Sequence, residues 1–176
     1  MEAFTARFND RLAALSRVQG LLSRSEREPI TIGALIRQEL DALGAEAVRD
    51  RVRIEGPETP LHNAVVQTLA LAIHELATNA RKYGALVTED GRLDVTWRVR
   101  DADGAGRRLA LEWIERGVDR ARKETSPAAE RGGYGRELIE RALPYALGAR
   151  TSFELGDDGV RCTIDLPLDK RPEQGG

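Results

Sequence analysis

The stretch that decides the fold is HELATNARKYG, residues 74–84, which predicts the end of an apolar helix spanning about residues 61–83. Each residue of a helix advances about 100°, so residues three and four apart share a face. One narrow face carries Glu75, Asn79 and Lys82. The roughly opposite face carries the apolar side chains Leu69, Ile73, Leu76 and Ala80. The pattern predicts a core helix with a carboxylate, an amide and an amine converging on its outer side.

This polar face allows two interpretations. A carboxylate, an amide oxygen and an amine on one side of a helix can hold a divalent cation and the phosphates that it carries. The plainer interpretation is a solvated helix face with a Glu/Lys pair, since such faces are common. The spacing alone favours neither interpretation.

Composition and charge narrow the class of protein. The chain has 176 residues, 41% hydrophobic and 32% charged, with a net charge of −2. These values fit a soluble globular protein and predict neither a nucleic-acid partner nor membrane insertion, because no apolar run reaches the ~20 residues that span a bilayer. One cysteine, Cys162, excludes an internal disulfide, and with two histidines it leaves too few ligands for a zinc site. We expect a cytoplasmic protein.

The first half of the chain mixes helices and short strands. Helical spacing predicts a first helix over residues 2–24, followed by a polar break over 23–29. A short strand at 30–32 then precedes a helix over 33–43, and another short strand at 52–55 precedes the long helix.

The second half is rich in strands. Alternating patterns and turn residues predict strands at 93–99, 109–114, 151–155 and 160–166, with a turn at 101–106 and a helix at 133–147. Residues 117–132 lack apolar periodicity, so we expect a mobile lid whose backbone amides become protected only when a ligand binds. Residues 169–176 predict a frayed tail.

The order of these elements predicts an α+β fold. It does not alternate strictly as βαβ, which disfavours a doubly wound parallel sheet. Adjacent strand hairpins favour a mixed sheet with helices on one face, a two-layer α/β sandwich, with an additional N-terminal helix.

Three separated segments together resemble one family. They are HELATNARKYG at 74–84, LEWIERG at 111–117 and RGGYGRELI at 131–139. Their order and spacing resemble the ATP-binding domain of HWE-type sensor histidine kinases, a family named for a His in the first segment and Trp-x-Glu in the second, here His74, Trp113 and Glu115. The resemblance covers roughly residues 3–167 and implies an ATP-binding fold of the Bergerat type.

The resemblance implies roles for the first segment. Glu75 would act as general base or orient the phosphate acceptor, and Lys82 would meet the phosphates as a further catalytic residue. Asn79 would coordinate Mg²⁺, and the Tyr83 side chain would form one wall of the nucleotide pocket. His74 lies about 100° from the Glu75 face. It is a candidate catalytic residue, with a structural hydrogen bond as the equal alternative.

The other two segments would complete the nucleotide site. Glu115 would accept a hydrogen bond from the adenine amino group, and Gly117 would let the backbone pass close to adenine. Gly133 and Gly135 would free backbone N–H groups for phosphate at a helix N-terminus. Trp113 is expected to pack in the core rather than contact the ligand. Arg116-Gly117-Val118 departs from the two glycines and proline that the family usually has at this point.

The resemblance also implies a domain organisation. Residues 1–28 resemble the second helix of a phosphotransfer hairpin, 29–170 the ATP-binding domain and 171–176 a tail. No segment of the sequence resembles the family's His-Arg-x-Lys-Asn acceptor, so we expect the chain to begin within the hairpin, either as an excised fragment of a longer sensor kinase or as a form that lost its acceptor.

The function implied is that of the catalytic, ATP-binding part of a two-component sensor histidine kinase. It would transfer the γ-phosphate of ATP, with Mg²⁺, to a histidine outside this chain and thence to a response regulator. Partners would be the response regulator and a phosphotransfer hairpin of the same or a second kinase chain, with a homodimer left open. Two alternatives remain: a serine kinase of the same fold, as anti-sigma factors are, and a non-catalytic nucleotide-binding module that docks a partner helix.

Overall fold

The computed structural model describes residues 2–118 and 134–169. Four helices are described: α1 (Glu2–Arg24), α2 (Ile32–Ala42), α3 (Asn63–Lys82) and α4, whose consecutive parts are Tyr134–Glu137, a π-helical stretch Leu138–Ala142 and Leu143–Leu147. The strands are β1 (Val52–Glu55), β2 (Arg92–Ala102), β3 (Gly106–Arg116), β4 (Arg150–Leu155) and β5 (Val160–Pro167). A 3-10 helix, Ala45–Arg51, precedes β1.

The strands form one mixed sheet in the order β1-β2-β3-β5-β4. β1 pairs in parallel with β2, and the other neighbours are antiparallel. A row of paired residues, Val95, Trp113, Cys162 and Phe153, crosses four strands, and each side chain is buried. Residues next to this row, such as Thr96, are more exposed, as the alternation of a strand requires. The α+β fold with a mixed sheet is therefore confirmed.

Helix α3 lies at the centre of the helical layer, where it contacts α1, α2 and α4. Its predicted apolar face is buried: Leu69, Ile73 and Ala80 are fully inaccessible, and Leu76 is 1% exposed. On α1, Ala14 and Val18 are also fully buried. The N-terminal helix thus packs onto the domain along the side of α3.

The strand predicted at 30–32 is wrong. Thr31 forms only an isolated antiparallel bridge with Pro60. Its side-chain oxygen accepts a hydrogen bond from the Ala34 N–H, which makes Thr31 the N-cap of α2. Because the cap starts the helix at Ile32, no room is left for a strand.

The other predicted elements that fall within the described residues agree with the structure to within a few residues, and the 3-10 helix Ala45–Arg51 was not predicted. The turn predicted at 101–106 is shorter, since β2 continues to Ala102 and β3 begins at Gly106. The predicted lid lies outside the described residues except for Gly117 and Val118, as does the tail except for its first residue. None of the helices in the described ranges is long and apolar enough to cross a membrane.

Candidate active site

The polar face of α3 meets the start of α4. Glu75 and Asn79 are half-buried, and Lys82 is exposed. A Cβ atom on Gly135 would lie 3.2 Å from Glu75 Cβ, 3.3 Å from Glu75 Oε2 and 3.6 Å from Asn79 Nδ2. The backbone of α4 therefore lies directly against the predicted acid and amide. Gly133 lies outside the described residues.

Helix α1 covers this face with side chains that the sequence analysis did not single out. Arg11 Nε donates to Glu75 Oε1 at 2.8 Å, in a half-buried ion pair. Lys82 Nζ lies 3.8 Å from Asp10 Oδ2, in a solvated pair that contributes little. The sequence carries one indication of the first pair. Arg11 lies three residues before the buried Ala14, so it shares the face with which α1 packs against its neighbour.

His74 belongs to a buried cluster at the junction of three helices. It is 3% exposed, and its Nδ1 lies 3.1 Å from Oε2 of Glu39, a fully buried carboxylate of α2. Arg17 of α1 donates to the same oxygen at 2.8 Å and to Oε1 at 3.3 Å. Burial raises the pKa of Glu39, but the hydrogen bonds with His74 and Arg17 outweigh it, so that the pKa lies below its ordinary value of 4.5.

Glu115 is held at the end of β3 by two donors of its own chain. It is 3% exposed, its Oε2 accepts the Ala85 N–H at 3.0 Å, and its Oε1 accepts the Trp113 Nε1–H at 3.0 Å. Burial raises the pKa of Glu115 more than these hydrogen bonds lower it. A Cβ atom on Gly84 would lie 2.0 Å from Oε2, so this position has no room for a side chain. A carboxylate accepts about four hydrogen bonds, which leaves Glu115 capacity for a ligand donor.

Trp113 is fully buried, as expected for a core residue, and it also orients the Glu115 carboxylate.

Gly117 follows β3 with φ +71, and a Cβ there would lie 3.0 Å from Asp90 O. The Gly117 carbonyl accepts the Thr88 Oγ1–H at 3.0 Å. The loop after α3 therefore packs against both Glu115 and Gly117. Tyr83 begins this loop, half-buried, as the C-cap of α3.

The residue types at this site fit a magnesium–nucleotide complex. Asn79 and Glu75 carry side-chain oxygen atoms of the kind that Mg²⁺ prefers, and Lys82 is an exposed cation that could meet a phosphate. Thr78 Oγ1, beside Asn79 in the sequence, is buried without a hydrogen-bond partner among the described residues. Gly135 leaves open the space that a Cβ would fill beside the acid and the amide.

Comparisons with known proteins show which family the chain resembles. The family model described as HWE histidine kinase matches residues 1–58. A blue-light-activated histidine kinase of Brucella anthropi is 31% identical over 161 residues, which are 92% of this chain and 31% of that protein. One from Rhizobium johnstonii is 32% identical over 164 residues, 93% of this chain and 44% of that protein. The chain spans less than half the length of these curated relatives.

A solved structure shows the same fold. The EL346 blue-light activated histidine kinase of Erythrobacter litoralis superposes with a TM-score of 0.65 at 20% sequence identity, over 94% of this chain and 50% of that one. The chain is therefore similar to HWE histidine kinases over residues 1–58 and to blue-light-activated histidine kinases over nearly its whole length.

Proposed function

We propose that this chain is the ATP-binding catalytic part of a two-component sensor histidine kinase, which transfers the γ-phosphate of ATP to a histidine and thence to a response regulator. The observation that carries the proposal is the approach of the Gly135 backbone to Glu75 and Asn79. A carboxylate, an amide and a backbone at a helix start meet there without an intervening side chain. This is an arrangement suited to positioning a phosphate group.

At the phosphate end, Asn79 would offer its amide oxygen to Mg²⁺, which when bound neutralises phosphate charge. Lys82 would add positive charge at the rim. Glu75 would accept the proton of the phosphate acceptor or orient it. Arg11 pairs with Glu75 Oε1, so the acceptor would approach Oε2, the oxygen beside Gly135.

At the adenine end, Glu115 would accept a hydrogen bond from the adenine amino group. Gly117 would let the adenine base approach the backbone closely, and the Tyr83 side chain would form one wall of the nucleotide pocket. We assign His74 a positioning role, since it contacts Glu39 of α2 and is 3% exposed. These assignments place the adenine at the ends of α3 and β3 and the phosphates towards α4.

The acceptor would come from a phosphotransfer hairpin. Phe8 and Leu12 on α1 are 54% and 48% exposed, which supports packing of another helix against α1. That helix would belong to the same or to a second kinase chain, and a homodimer would supply it in trans. A cytoplasmic location follows from the proposed use of ATP and a response regulator.

We expect the chain alone to bind ATP without phosphorylating itself. His74 is buried against Glu39, and His62 precedes α3 by one residue, 13 positions (75 − 62) or about 20 Å from Glu75 along the helix. The measurement is incubation with radiolabelled ATP, with and without a hairpin fragment that carries an acceptor histidine.

Acid-labile, base-stable label is expected on the added fragment and not on the chain. Such label on His62 or His74 would contradict the proposal. Acid-stable label on an added partner would instead indicate the serine kinase alternative.

Replacing Glu115 with Gln should weaken Mg·ADP binding about 10- to 100-fold, because a charge-assisted hydrogen bond to the adenine is lost. Titration calorimetry measures this. Glu112→Gln is the matched control, since Glu112 lies on the same strand but pairs with Arg161 on the exposed face of the sheet.

Because the pKa of Glu115 is raised, the wild-type affinity for Mg·ADP should fall on acidification at a pH above 4.5, and the affinity of Glu115→Gln should not. Equal affinity of Glu115→Gln and wild type would contradict the assignment.

A further inference from the structure

The carbonyl groups of the loop between α3 and β2 converge on one guanidinium. Arg51, the last residue of the 3-10 helix, is half-buried. Its Nη1 donates to Thr88 O at 2.5 Å, to Gly91 O at 2.8 Å and to Ala85 O at 3.4 Å. A single cationic group therefore serves three acceptors spread along this loop.

The loop needs such a cation because it is tightly wound. A Cβ atom on Gly91 would lie 2.0 Å from Ala85 O and 2.3 Å from Thr88 Oγ1. Carbonyl dipoles that point to one place repel each other, and a buried carbonyl without a hydrogen-bond donor destabilises the folded state. Removing Arg51 therefore leaves the loop without the charge that stabilises this conformation.

Two residues of this loop also form hydrogen bonds with Glu115 and Gly117, at the adenine end of the candidate site. Ala85 offers its carbonyl to Arg51 and its N–H to Glu115 Oε2. Thr88 offers its carbonyl to Arg51 and its hydroxyl to the Gly117 carbonyl. Two residues thus link Arg51 to the groups assigned to adenine.

We propose that Arg51 is a positioning residue for the adenine end of the nucleotide site. It fixes residues 84–91, and through Ala85 and Thr88 it fixes Glu115 and Gly117 before nucleotide arrives. This inference rests on the proposed function. Its effect is preorganisation, which lowers the ordering cost of binding.

The test compares Arg51→Met, Arg51→Lys and Arg53→Met in the full chain. Arg53→Met is the matched control, since it removes the same charge from β1 but Arg53 pairs with the exposed Glu55. Arg51→Met should speed hydrogen exchange across 84–91 without nucleotide and leave the middle of β3 unchanged. It should also raise the Kd for Mg·ADP roughly tenfold and narrow the preference for ADP over GDP. Arg51→Lys should recover most of both effects, because an ammonium has three N–H donors.

Each other outcome has a distinct meaning. Wild-type exchange and affinity in Arg51→Met would overturn the role of Arg51 alone. Faster exchange throughout the sheet in both Arg51 variants would also overturn it, because the residue would then serve the whole fold. A wild-type chain that binds no Mg·ADP would contradict the proposed function, and the role of Arg51 with it.

Discussion

Replacing Asn79 with alanine is expected to lower Mg²⁺-dependent ADP affinity on the order of 100-fold while the fold survives. The substitution removes the amide oxygen assigned to the metal. It leaves the helix intact, because the α3 C-cap uses the Asn79 backbone carbonyl, which accepts the Tyr83 N–H at 2.8 Å. Calorimetric titration of Mg·ADP into folded protein, repeated with a chelator present, measures the effect.

Two variants control this experiment. Asn63→Ala makes the same change at the first residue of the same helix, where the side chain donates to Ser25, so its affinity should match wild type. Asn79→Asp keeps an oxygen ligand and should retain more Mg²⁺ dependence than Asn79→Ala. An unchanged Mg·ADP affinity in folded Asn79→Ala, or an equal loss with and without Mg²⁺, would contradict the role of Asn79 as a metal ligand.

Periodicity predicted α3 well because its burial is one-sided. Leu69 and Ile73 face the core, and Glu75 and Asn79 do not, so residue spacing alone separates the faces. The strand expected at 30–32 failed for a local reason, since a Thr hydroxyl that caps a helix overrides an apolar β-branched run. The π-helical stretch of α4 left no pattern that differs from an ordinary helix.

The candidate site was predictable only within each segment. Residues of one helix share a face by spacing, but spacing does not show what lies opposite. The pairing of Arg11 with Glu75 and the convergence of the 84–91 carbonyls on Arg51 join residues far apart in sequence. A weak indication existed for Glu39, a carboxylate placed next to Leu40 in the apolar stripe of α2, where only a paired charge is tolerated.

Replacing Glu39 with alanine is expected to lower the free energy of unfolding by about 2–4 kcal/mol, and the melting temperature by about 5–15 °C. Glu39 is fully buried, and its removal leaves His74 and Arg17 without their shared acceptor. We expect less than the ~3–5 kcal/mol that is typical of breaking a fully buried ion pair, because Arg17 is 27% exposed and regains some solvation. Denaturant unfolding at neutral pH measures the loss. Glu46→Ala is the control, since Glu46 pairs with Arg49 in solvent and should change stability by less than about 0.5 kcal/mol.

The pH dependence follows from the sign of the Glu39 shift. Its pKa is lowered in the folded chain, so its stabilisation is present above the ordinary value of 4.5 and is lost as pH falls through the folded pKa. The stability gap between wild type and Glu39→Ala should therefore narrow on acidification below about pH 4.5. A gap that does not change with pH would contradict an ionised Glu39 in the cluster.

The same cluster decides the role of His74. If His74 positions the helices, His74→Ala should destabilise the chain, and the double variant with Glu39→Ala should lose little more than Glu39→Ala alone. Mg·ADP affinity of the folded fraction should then stay near wild type. If His74 instead acts on the reacting groups, His74→Ala should keep its stability and lose phosphoryl transfer to an added hairpin. The packing favours the first result, because the Glu39 and Arg17 side chains join His74 to α2 and α1, away from the Glu75 and Asn79 face that meets Gly135.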